Sequence, residues 1–169
     1  MARQDAFTTE EWTQLRLVPS LVASGTAAAD PSGLFSLIKE GLGGAKGMAE
    51  AFKANSGLEL FSALAADRSM PAMPDPQTLL GEGSREQQMQ NLKTAVLERI
   101  RSAAALVAGK ASAAEAEAYR TMLVSVAEQA ANASKEGGFL GFGGVRVSDK
   151  ERAFISEVKA AVAPALPNR

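Results

Sequence analysis

The chemistry open to this 169-residue chain is that of carboxylates, because it contains no cysteine and no histidine. Two groups of them are spaced to act together: Asp30 with Ser32 and Glu40, and Glu136 with Asp149 and Glu151. Clustered carboxylates can hold a divalent cation, or perform acid–base catalysis where a cleft raises the pKa of one of them. Neither group has the alternating oxygen ligands and terminal bidentate Glu of an EF-hand loop. Asp30 and Asp149 also fit as first-turn charges favoured by a helix dipole, and Glu151 as the reciprocal half of a capping box begun by Ser148. The absence of thiol and imidazole excludes a cysteine nucleophile, disulfides, a Cys/His zinc site and a Ser–His–Asp triad. No catalytic residue, cofactor or tight cation site is therefore expected. Glu136, Asp149, Glu151 and Asp30 are the candidates should a metal bind. A carboxylate-based enzyme or a weak divalent-cation binder is the alternative.

A second kind of site is a contact surface. Residues 135–147 read KEGGFLGFGGVRV, with glycines at 137, 138, 141, 143 and 144 around Phe139, Leu140 and Phe142. Two readings fit this segment. In one it is a helix cap and connection whose aromatics fold back on the core, its last residues pairing as a short ribbon. In the other it is a partner or ligand loop with Phe139, Leu140, Phe142 and Arg146 as the binding surface. Ordering such a segment costs about 1–2 kcal/mol per residue in backbone entropy. Each buried large apolar side chain returns roughly 1.5–3 kcal/mol. These terms are of similar size, so one Phe is expected on the core beside Leu140, with the other left as a contact.

Helices must position all of these residues. Alanine, the best helix former, fills 33 positions, and four capping boxes punctuate the chain at Thr8-x-x-Glu11, Ser84-x-x-Gln87, Ser112-x-x-Glu115 and Ser148-x-x-Glu151. After the first box, with Phe7 as a staple, Trp12, Leu15, Pro19 and Val22 recur at helical spacing to Ala29. Leu17, Val18 and Leu21 make the other side apolar, so this helix is expected to be central, bent or broken at Pro19. Asp30-Pro31 starts a second helix with Leu34, Ile38, Gly41, Ala45, Met48 and Phe52 on one face, ending at 55–57. Its glycines at 33, 41, 43, 44 and 47 read as close helix–helix approach, as a break, or as a phosphate loop lacking its Lys-Ser/Thr ending. A short helix over 58–67, a Pro-rich loop over 70–76 and a brief helix to Leu80 follow. Leu92 to Val107 and Tyr119 to Ala133 then form two long helices, which the short link at 109–111 makes an antiparallel hairpin. Phe154, Val158 and Val162 face the core from a last helix before Pro164.

The expected fold is an all-α single-domain bundle of six or seven helices over residues 1–169, with flexible ends at 1–7 and 165–169. The segment 130–137, AANASKEG, followed by a loop, then Val147-Ser148-x-x-Glu151 and an apolar helix, resembles the TerB-like (tellurite-resistance B-type) domains. The resemblance covers roughly residues 115–163, with Glu136 where that family usually carries Asp. It implies an all-helical, bacterial-type module linked to stress responses and proposed to sense metals or to scaffold. The loop also resembles small uncharacterised bacterial helical proteins. It prompts a search for a second copy, and Ala27-Ala28-Ala29-Asp30-x-x-Gly33 after Trp12 matches the approach to Glu136 after Tyr119. That makes a divergent internal duplication a candidate reading.

A net charge of −1 gives no long-range pull on nucleic acid or anionic lipid. The longest uncharged stretches are too short to span a bilayer, and the N-terminal residues lack an apolar signal core. A cytoplasmic, non-catalytic binding or scaffolding module is expected. Its partner would be a protein or a second copy of itself, with no role for nucleic acid or membrane.

Overall fold

The computed structural model describes residues 4–29, 34–69, 71, 74–133 and 147–164. Among them the chain forms seven α-helices and no strand: α1 Thr9–Ala29, α2 Leu34–Ala54, α3 Glu59–Ala66, α4 Pro76–Leu80, α5 Arg85–Lys110, α6 Ala113–Ala133 and α7 Asp149–Val162. None of the described helices is long and apolar enough to cross a membrane.

Side-chain caps set the helix starts. The Thr8 amide donates to Glu11 Oε2 at 2.7 Å and the Glu11 amide to Thr8 Oγ1 at 3.2 Å. Ser112 with Glu115 and Ser148 with Glu151 repeat this reciprocal pair. Ser84 makes half of it: its hydroxyl accepts from the Gln87 amide, while the Gln87 side chain turns away and donates to Asn91. A 3-10 turn, Gln4–Ala6, delivers Phe7 into the core, where its ring lies 5.9 Å from that of Trp12. The Lys110 ammonium sits 5.8 Å above the same ring and bonds Glu11.

Helix α1 is the hub, packed against α2, α5, α6 and α7, with Leu15, Val18, Leu21 and Val22 sealed from solvent. Its end lies beside the middle of α5, and its start beside the end of α5, so the two run antiparallel. Tyr119 of α6 sits beside Leu15, and Val126 and Ala23 both face Gly44, so α1 and α6 run parallel. These directions make α5 and α6 antiparallel, as the short link between them requires. Trp12 and Tyr119, matched in the duplication reading, do different work: Trp12 bonds the end of α3, and Tyr119 bonds α1 itself.

Helix α2 runs unbroken from Leu34 to Ala54, so its glycines form neither a break nor a loop within that span. The buried positions of its second half are Gly44 and Gly47, while Ala45, expected on the inner face, is exposed. The reason is steric. A Cβ on Gly47 would stand 3.1 Å from Val126 Cα, and one on Gly44 would stand 2.5 Å from Ala23 Cβ. Only glycine lets these backbones approach so closely.

Candidate functional site

Asp149 and Glu151 are the singled-out carboxylates whose side chains lie among the described residues. Glu151 is buried and closes its capping box, accepting from the Ser148 amide at 2.6 Å. Asp149 is exposed and pairs with Arg152 on its own helix. Glu136 and Asp30, and the proposed contact residues Phe139, Leu140, Phe142 and Arg146, lie outside the described residues. Among the described residues, no three acidic side chains are grouped so as to hold a metal ion.

Other carboxylates do structural work between elements. Glu115 is 2% exposed. One of its oxygens accepts from the Ser112 amide at 2.9 Å and the Ser112 hydroxyl at 2.6 Å, and the other from the Leu60 amide at 2.9 Å. The residue before α3, Leu58, has no side chain able to cap a helix. Glu115 therefore satisfies an orphan N–H of α3 from another helix.

The other end of α3 is held as firmly. Trp12 Nε1 donates to Asp67 Oδ2 at 2.9 Å, and Arg16 Nη1 reaches the same oxygen at 3.0 Å. Asp67 Oδ1 accepts from the Ser69 amide at 3.0 Å and the Ser69 hydroxyl at 2.7 Å. Arg16 also donates to the Ser69 hydroxyl at 2.8 Å and to the carbonyls of Asp67 and Ser69. The Ser69 and Trp12 hydrogen bonds, with the Arg16 charge adding to them, lower the Asp67 pKa to about 2. A carboxylate so saturated is a fixed anion at neutral pH and a poor proton acceptor.

Beside this lock the bundle opens. Pro19 has no amide hydrogen, so the Leu15 carbonyl one turn earlier lacks its helical donor. The Tyr119 hydroxyl, on a fully buried ring whose burial pushes its pKa up, donates to that carbonyl at 2.8 Å. Helix α1 thus continues through Pro19 with its polar groups satisfied. At this point lies a cleft of about 250 Å³. Leu15, Pro19 and Ser20 of α1 form one wall, Met48 and Phe52 of α2 another, and Leu64, Pro71 and Met122 complete it. Arg16 and Asp67 also line it, already committed to each other. The arrangement can enclose an apolar group, and among its described lining residues the acid and the base, Asp67 and Arg16, are bound to each other.

The sequence carries a signal for this site that residue spacing alone did not reveal. Trp12 and Arg16 are i,i+4 neighbours, and both are donors. A buried indole N–H needs an acceptor, and Asp67 supplies it from a distant helix end. Likewise Pro19 orphans a carbonyl and a buried tyrosine seeks one, so the two could have been paired from the sequence. No protein-family model matches the chain, and neither a characterised protein nor a solved structure shows significant similarity to it.

Proposed function

We propose that this protein is a non-catalytic binding module whose working surface is the cleft at Pro19. The saturation of Asp67 carries the reading. The ionisable groups at an otherwise apolar cleft are spent on holding α3 to α1, so the cleft is equipped to receive a group and not to transform it. Both ends of α3 are tied by side chains from other helices, which keeps that wall in place before anything binds. The TerB-like resemblance of residues 115–163 supports placing such a module in a stress response.

The test is to plug the cleft. Immobilised wild type and Ser20→Trp, with matched circular dichroism spectra, are compared for the proteins and small molecules each retains from a cell lysate. A set of species retained by the wild type and lost from the plugged variant is expected. Identical retention by the two proteins contradicts the reading.

A further inference from the structure

The cleft also restricts what it can receive, an inference that rests on the binding-module reading above. We propose that it takes a small, uncharged, predominantly apolar molecule with a ring system about the size of indole and at most one hydrogen-bonding group.

Three observations lead there. First, the space is about 250 Å³, just under the roughly 300–1,000 Å³ of pockets for drug-sized ligands. Second, the walls suit a ring. Met48 and Met122 bring two polarisable, adaptable thioethers to the lining, and Phe52 adds an aromatic ring. The Phe52 ring is itself propped edge-on by the fully buried Phe61, their centroids 6.1 Å apart. Third, the charges are closed. Arg16 and Asp67 neutralise each other, and Ser69 and Trp12 take up further hydrogen-bonding positions on the pair. A charged ligand would lose its hydration without finding a counter-ion, which disfavours carboxylates and ammonium compounds alike. Among the described lining residues the hydroxyl is that of Ser20, which can meet a single polar group on the ligand.

The experiment uses three molecules with one ring system: neutral indole, anionic indoleacetate and cationic tryptamine. Each is titrated calorimetrically into the full chain. Indole is expected to bind saturably, and about ten-fold or more tightly than either charged analogue, as the desolvation of an unpaired charge demands. Ser20→Trp is expected to abolish indole binding, with Ser20→Leu as a smaller plug should the larger one disturb the fold. Equal or tighter binding of a charged analogue overturns the proposal, and so does the absence of saturable indole binding. If indole fails while the plugged variant still loses retained proteins, the cleft receives a protein side chain: the ligand class falls and the binding-module reading stands. If plugging changes neither, both fall.

Discussion

Along a single helix, α2, the molecule packs in two opposite ways. At Gly44 and Gly47 the backbone closes onto α1 and α6, leaving no room for one more carbon. One residue on, at Met48, and again at Phe52, long side chains line an open cleft against the same two helices. The tight stretch has little conformational freedom to lose and little to adapt. The open stretch has flexible thioethers and unfilled volume. A bundle that closes one part of an interface on glycine can leave the adjoining part open without loosening the whole, because the seam fixes the helix axes that the cleft depends on.

The sharpest way to break this contrast is to put the same side chain on both sides of it. Gly47→Leu forces a branched chain against the backbone of α6 and is expected to cost about 3 kcal/mol, or to prevent folding, as overpacking does. Met48→Leu, one residue away, is expected to cost less than about 1.5 kcal/mol. Urea denaturation of the two variants measures the difference, and equal costs would mean that the seam is not tight.

A smaller effect is expected at the cleft wall. Tyr119→Phe removes the donor from the Leu15 carbonyl and should cost about 1–2 kcal/mol. Pro19→Ala restores an amide able to close the helical bond to that carbonyl. In its background Tyr119→Phe should cost about 0.5–1 kcal/mol less, and a double-mutant cycle reads that coupling directly. Simple additivity would show that the hydroxyl does not compensate for the proline.

The smallest effect is one of pH. The Asp67 pKa is lowered from 3.8 to about 2 by its hydrogen bonds. A depressed carboxylate stabilises the fold above its ordinary pKa, and that contribution is lost as pH falls through the folded value. The stability advantage of wild type over Asp67→Asn should therefore be full at neutral pH and should shrink as pH approaches 2. A constant difference across an acid titration would remove Asp67 from the lock.

Much of the fold was legible because it depends on local chemistry. The boxes at Thr8, Ser112 and Ser148 start their helices as reciprocal pairs, and the apolar repeats from Val96 to Val107 and from Tyr119 to Ala130 face the core. The inner face of α2 was misplaced onto Ala45 for a physical reason. Glycine has no side chain to register as apolar, so a face built from Gly44 and Gly47 is invisible to hydrophobic periodicity. The cleft escaped for another reason: Ser20, Phe52, Leu64 and Met122 stand on four different helices, and only tertiary packing brings them to one volume. The carboxylates at 149 and 151 illustrate the converse. Their capping and dipole roles were readable locally, and those roles are the ones they fill.

The central claim, that the Pro19 cleft is where this protein binds, is tested most directly by methyl spectra of isotope-labelled methionine during an indole titration. Of the six methionines, Met48 and Met122 line the cleft, whereas Met89 lines a separate depression beside Phe154, between α5 and α7. The account predicts that the Met48 and Met122 methyl signals shift together along one saturation curve while that of Met89 stays in place. A shift of Met89 with Met48 and Met122 unmoved would contradict it.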